Sequence, residues 1–347
     1  MKIKELQKKY PEFIYENFQY EFKGGALSAN FKFRIPPSIE FNPSITIKNV
    51  DRGQAAKIGT KSLQNLIFHL GLAEMPTYWK TVCAPKIVIG AGYLDKNQIK
   101  FWQNLFLNGM GQFFFENKLP FIKPEFIIQR KPSDKFFCAP QKFSSRCLIP
   151  LGGGKDSLAA LEILRRAKPV IIFVLNPNQV INELLKTTSN QSIFIERKID
   201  KQLLSLNQRG FFNGHTPFSA LLAFLSIAAA ALFDCCYIPI SQERSSNQGN
   251  LKYLGKIINH QYSKSFEFEN QMRVYCKKYL AENIEYFSFL RPLYELQIAK
   301  IFAQYPKYFP YFVSCNNSFT LAGRKTNSNK WCCACPKCLF TFAALYP

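Results

Sequence analysis

The sequence predicts an α/β fold, a parallel sheet with helices on both faces, preceded by an N-terminal α+β domain and closed by a C-terminal cysteine knuckle. Three observations point there. From Arg146 onward short apolar runs alternate with helical stretches, the pattern of parallel strands joined by crossovers. A glycine-rich turn separates the first such run from its helix. Upstream, residues 1–140 instead carry alternating strand patterns broken by prolines, then aromatic helices. The 347 residues therefore divide into an N-terminal α+β domain, 1–140, with a possible substrate-binding role, and a second domain, 141–347.

In chain order, FKFRIPPSIEFNPSITI reads as strands joined by turns. KSLQNLIFHLGLAEMPTYWK carries Leu63, Leu66, Ile67 and Leu70 at helical spacing, with Gly71 as its C-cap, and FWQNLFLNGMGQFFFEN is a second aromatic helix. His69 and Trp79 read as core residues. QRKPSDKFFCAPQKFSS, polar with two prolines, marks the boundary. RCLIPL is then a strand, LAALEILRRAK a helix stopped by Pro169, and VIIFVL and QSIFIER two further strands. Thr216-Pro217 opens the Ala-rich helix FSALLAFLSIAAAALF, shorter than the roughly 20 residues of a membrane span. CYIPI is a last strand, running into the loop SQERSSNQGN.

The strongest motif is Leu151-Gly152-Gly153-Gly154-Lys155-Asp156-Ser157, between strand and helix. Glycines let the backbone turn tightly and bring N–H groups to an anion, and the helix adds its positive end. Lys155 supplies a full charge, Ser157 a hydroxyl donor, and Asp156 either holds magnesium or fixes the loop. The spacing is neither Walker A nor G-x-G-x-x-G. It resembles the S-G-G-x-D-S/T loop of the ATP-pyrophosphatase (PP-loop) superfamily, with its adenine-nucleotide α-hydrolase-like fold, except that Gly152 replaces the first Ser. That resemblance implies binding of ATP with Mg²⁺ and its cleavage to AMP and pyrophosphate.

Cys332, Cys335 and Cys338 form C-x-x-C-x-x-C, and Cys315 lies upstream. Four thiolates on two short knuckles match a closed structural zinc site, with Cys333 pointing away; an iron–sulfur cluster is the alternative. With 11 Cys and no apolar signal-peptide core at the start of the sequence, a reducing cytoplasmic setting is expected.

Lys+Arg 45 against Asp+Glu 23 leave a net charge of +22. Hydrophobic content of 47% excludes a disordered chain. The charge is spread over both domains with no basic arm or patch, which removes the tail-and-patch argument for nucleic acid and fits scattered surface lysine; neither nucleic acid nor a membrane is the expected partner.

Several segments together, FHLGLAEMPTYWK, LDKNQIKFWQNLFLNGMGQFFFEN, LGGGKDSLAALE, NGHTPFSA, SQERSSNQGN, HQYSKSFEFE, LRPLYELQIAKIF and WCCACPKCLFTF, resemble the MurL family of UDP-N-acetyl-α-D-muramoyl-L-alanyl-L-glutamate epimerases. The resemblance runs from about residue 60 to the end of the sequence. It implies ATP-dependent conversion of the terminal L-glutamate of the UDP-muramoyl dipeptide to D-glutamate through an acyl adenylate, in peptidoglycan precursor synthesis, downstream of a ligase that adds L-glutamate. Adenylation removes the carboxylate charge and acidifies the α-proton. On that reading Glu243, Arg244, Ser245 and Asn247 face the glycine loop, with Arg244 on a phosphate or carboxylate and Glu243 orienting it or holding magnesium. His215 contacts nucleotide or substrate, or caps a helix. His260, Tyr262 and Lys264 are the candidates for proton transfer, His260 foremost, though His260 and Lys264 could equally bind substrate anions. Arg291 is a candidate anion clamp. The alternatives are a tRNA- or deazaguanine-modifying PP-loop enzyme and a non-catalytic nucleotide-binding protein.

Overall fold

Ten strands in one path, with an eleventh at its side, form a single mixed sheet through the computed structural model, which describes residues 3–315, 317 and 331–346. The N-terminal stretch supplies α1 (Ile3–Lys9), β1 (Glu12–Lys23), β2 (Ala26–Ile35), β3 (Ile39–Phe41), β4 (Ser44–Lys48), α2 (Arg52–Ile58), α3 (Thr60–Trp79), β5 (Lys86–Ile89), α4 (Lys96–Gly109), α5 (Gly111–Glu116) and β6 (Glu125–Ile128). The remainder supplies β7 (Cys147–Pro150), α6 (Lys155–Leu164), β8 (Val170–Leu175), α7 (Gln179–Lys186), β9 (Gln191–Lys198), α8 (Lys201–Gln208), α9 (Phe218–Leu232), β10 (Tyr237–Ile240), the hairpin β11 (Leu251–Tyr253) and β12 (Lys256–Ile258), α10 (Phe266–Tyr275), β13 (Glu285–Ser288), α11 (Glu295–Ala303) and α12 (Pro336–Leu345).

The strand order is β13-β10-β7-β8-β9-β4-β2-β1-β5-β6. β13, β10, β7, β8 and β9 run parallel, as the alternation predicted. Helices cover both faces of this half. Leu148, Ile171 and Phe173 point to one core with α3 and α9, while Ile149, Ile172 and Val174, their neighbours along the strands, point to a second core with α6, α7 and α11. At the boundary expected near residue 140 the sheet does not break, because β4 pairs antiparallel with β9.

Two expected details differ. Gly71 is not a C-cap: α3 continues to Trp79 through Pro76 and is buried almost all round. A Cβ on Gly71 would run into the Tyr15 ring, so glycine serves close approach of α3 to β1. The second aromatic helix is two, broken at Met110, with Asp95 and Gln98 making a capping box at the start of α4. His69 and Trp79 are core residues as read, each hydrogen-bonded: Trp79 Nε1 donates to the Ala84 carbonyl, and His69 bonds Asn65 and Tyr275. Among the described residues no helix is long and apolar enough to cross a membrane.

A candidate nucleotide cavity beside a cysteine centre

After β7 the chain moves through β8 to β9 on one side, then returns to place β10 on the other. That reversal opens a crevice at the carboxyl ends of β7 and β10, where open parallel sheets bind ligands. A cavity of about 560 Å³ lies there. Its wall includes Gly152, Gly154, Asp156 and Ser157 after β7, Glu243 and Ser245 after β10, and His260 and Lys264 from the segment before α10.

The glycine loop has the expected form. Gly153 takes φ +84°, Gly154 caps α6 in extended backbone, and Lys155 opens the helix. Lys155 is only 3% exposed, with Nζ 2.6 Å from Asp156 Oδ1 and 3.6 Å from Glu295 Oε1. The Ser157 hydroxyl turns back to donate to the Gly154 carbonyl at 3.0 Å. Around Gly152 a Cβ would meet none of the described residues within 4 Å, so that side of the loop is open toward them.

Opposite the loop, the buried Glu243 carboxylate accepts from the Ser245 backbone N–H and from the Ser245 hydroxyl at 2.8 Å, fixing the turn that follows β10. The Ser241 hydroxyl, on the same wall, is buried with no partner among the described residues, a donor left for a ligand. Lys264 is buried enough, and near enough to Lys337, that its ammonium falls to about 8, despite the opposing pull of Asp156, Glu243 and Glu295. His260 is also held below the ordinary histidine value, by burial and then by the Lys264 charge.

Not every expected residue reaches this cavity. Tyr262 donates its hydroxyl to Glu267 at 2.9 Å and lines a separate groove beside α4. Arg244 lies over the Tyr294 ring at 4.9 Å. Asn247 accepts from the Phe266 backbone N–H at 2.9 Å. Arg291 is engaged by Glu269 at 3.0 Å and by the Lys264 carbonyl at 2.8 Å, so its fork ties α10 to the loop after β13. His215 is pushed down to about 4 by burial and by the neighbouring His260 charge, and is neutral at pH 7.

Residues the sequence reading passed over also line the cavity: Glu295, Ser314 and Lys337. Each had a signal, Glu295 in the LRPLYE segment, Ser314 next to Cys315, and Lys337 between Cys335 and Cys338.

Cys315, Cys332, Cys335 and Cys338 come together with all four sulfurs within 4.8 Å of one another. Three pairs lie at 4.0, 3.8 and 3.5 Å. An ion about 2.3 Å from each thiolate in a tetrahedron spaces the sulfurs by about 3.8 Å. The four can hold a metal ion such as zinc. Cys333 is exposed and outside the group, as its position between the ligands suggested.

The chain matches the MurL N-terminal domain over residues 4–289 and the MurL C-terminal domain over residues 311–347. Among curated proteins it is 31% identical over 295 residues to the UDP-N-acetyl-alpha-D-muramoyl-L-alanyl-L-glutamate epimerase of Xanthomonas oryzae pv. oryzae, covering 82% of this chain and 63% of that protein. Proteins of the same name from a Micromonospora species and Salinispora tropica are each 34% identical, covering 78% of this chain and 60% and 59% of theirs. The chain thus spans about three fifths of the length of these relatives. No solved structure matches it. With one family domain matched over the whole sheet and the other over the cysteine centre, this chain belongs to the MurL family.

Proposed function

We propose that this chain is an isomerase that uses ATP and magnesium to epimerise the terminal L-glutamate of the UDP-N-acetylmuramoyl-L-alanyl-L-glutamate precursor to D-glutamate, a cytoplasmic step in peptidoglycan synthesis. The observation that carries this reading is one cavity shared by a phosphate-type glycine loop and by Lys264 and His260. The curated relatives' names support the substrate.

The donor set fits the groups required. Backbone N–H groups of residues 152–154 and the N-terminal end of α6 suit phosphate oxygens. Asp156, Glu243 and Glu295 are hard oxygen ligands of the kind magnesium takes, Asp156 being the one on the loop itself. ATP, when bound, supplies the adenylyl group that turns the glutamate carboxylate into a neutral activated acyl group with a more acidic α-proton.

The backbone N–H groups of the loop, with the Lys155 charge at the start of α6, would hold phosphate oxygens. Lys264, with an ammonium poised near 8, exchanges a proton with the α-carbon on one face, and His260 serves the other. The cysteine group, of which Cys315 also lines the cavity, holds its metal as a structural centre.

Incubation of the purified chain with ATP, magnesium and the UDP-muramoyl-L-alanyl-L-glutamate precursor in deuterated water tests the proposal. Release of AMP and pyrophosphate with deuterium at the glutamate α-carbon is expected. Pyrophosphate release without α-deuterium would overturn the epimerase assignment.

A further inference from the structure

The two residues before Cys315 touch the glycine loop, and Cys315 lines the same cavity. The Val313 backbone N–H donates to the Gly153 carbonyl at 3.0 Å, and a methyl group on Gly154 would lie 2.8 Å from the Ser314 hydroxyl. Ser314 immediately precedes Cys315. From the other side of the centre Lys337, between Cys335 and Cys338 in the first turn of α12, lines the same cavity.

We propose that Ser314 and Lys337 are phosphate-binding residues of the cavity, held against the glycine loop by the metal centre, so that removing its ion abolishes anion binding. The proposal rests on the nucleotide reading above and adds the two residues and the coupling to it.

Charge and hydrogen bonding within the cavity support both residues. Lys155, the loop's own cation, is already engaged by Asp156 and Glu295, and Glu243 adds a third carboxylate to the wall. A polyphosphate entering there faces those carboxylates, and Lys337 adds a further cation to the Lys264 ammonium and the magnesium that offset them. Lys337 is exposed and makes no ion pair among the described residues, and its charge is felt by Lys264 across the cavity. Among the described residues the Ser314 hydroxyl makes no hydrogen bond, yet it lies against the loop whose first position, Gly152, has no hydroxyl of its own.

The coupling follows from connectivity. The segment 313–315 is anchored at one end by the Gly153 carbonyl and at the other by the Cys315 thiol, and Lys337 is flanked by two thiols of the same group. A bound ion joins these two segments through its ligands. Without the ion the two segments lose that shared link, and Ser314 and Lys337 lose their fixed position relative to the loop.

Titration calorimetry of the full metal-loaded chain separates the possibilities, using magnesium-ATP, inorganic pyrophosphate and AMP as probes. Ser314→Ala and Lys337→Gln, each retaining its metal and wild-type melting temperature, are expected to weaken ATP and pyrophosphate binding about tenfold. AMP binding should stay within about twofold, because AMP lacks the phosphates concerned. Chelation of the wild-type chain should remove pyrophosphate binding while circular dichroism shows the sheet intact. If the wild-type chain binds neither ATP nor pyrophosphate, the nucleotide reading itself fails. If it binds both and the two variants bind pyrophosphate equally well, or lose AMP in the same proportion, the roles of Ser314 and Lys337 are overturned. Unchanged pyrophosphate affinity in the chelated chain overturns the coupling.

Discussion

Glu74 on α3 and Arg197 on β9 form a buried bidentate ion pair that fastens the N-terminal stretch to the parallel half of the sheet. Arg197 Nε and a terminal nitrogen lie 2.5 and 2.7 Å from the two Glu74 oxygens, and Thr77 accepts a further bond at 3.0 Å. The glutamate is fully buried. Removing one partner leaves the other charge stranded in low dielectric, a change that typically costs about 3–5 kcal/mol. Glu74→Gln and Arg197→Met should each lower the unfolding free energy, read from urea titration, by that order. The double replacement Glu74→Leu with Arg197→Met should recover much of the loss.

Lys155→Ala removes the one cation in the glycine loop. Expected is at least about a hundredfold fall in ATP-dependent pyrophosphate release, with folding retained. Full release by the variant would refute the loop's assignment to phosphate.

Lys264 has the sharpest pH signature in the cavity. Burial and Lys337 bring its ammonium down to about 8, so the neutral amine that can accept a proton grows as pH rises through that value. Deuterium exchange at the glutamate α-carbon should rise through about pH 8 and level off above it. Lys264→Arg, which stays charged, should lose that limb and about a hundredfold or more in exchange rate. An unchanged profile in the variant would remove Lys264 from proton transfer.

His69 ties stability to acid. Its Nδ1–H donates to the Asn65 carbonyl at 2.8 Å, leaving Nε2 to accept from the Tyr275 hydroxyl at 2.9 Å, so the buried ring is neutral. Burial lowers it from 6.5 to about 4. In that window the unfolded chain binds more protons than the folded one, so stability falls as pH drops from about 6.5 toward 4. His215, lowered to about 4 as well, adds in the same direction. Denaturant midpoints measured across this range should fall for the wild-type chain and fall less steeply for His69→Gln.

Local patterns were legible because they depend on neighbours in sequence. The strand runs CLIP, VIIFVL and QSIFIER, the glycine turn before Lys155 and the spacing of three cysteines all fold as short-range geometry dictates. Gly71 was misread for the complementary reason. A glycine near a plausible helix end looks like a cap, and only the Tyr15 ring from a distant strand shows that it serves close packing. Tyr262, Arg244 and Arg291 are close in sequence to Lys264, Glu243 and Glu295, yet their side chains are engaged by Glu267, Tyr294 and Glu269.

The sequence by itself determined the alternation of strands and helices, the glycine turn before Lys155 and the cysteine set, because periodicity, glycine conformation and ligand spacing are local properties. The tertiary structure alone decided that β4 joins both stretches into one sheet and that Ser314 and Lys337 stand beside the loop. Those contacts join residues far apart in the chain, where strand pairing and the meeting of four thiols, not local propensity, set which side chains face one another.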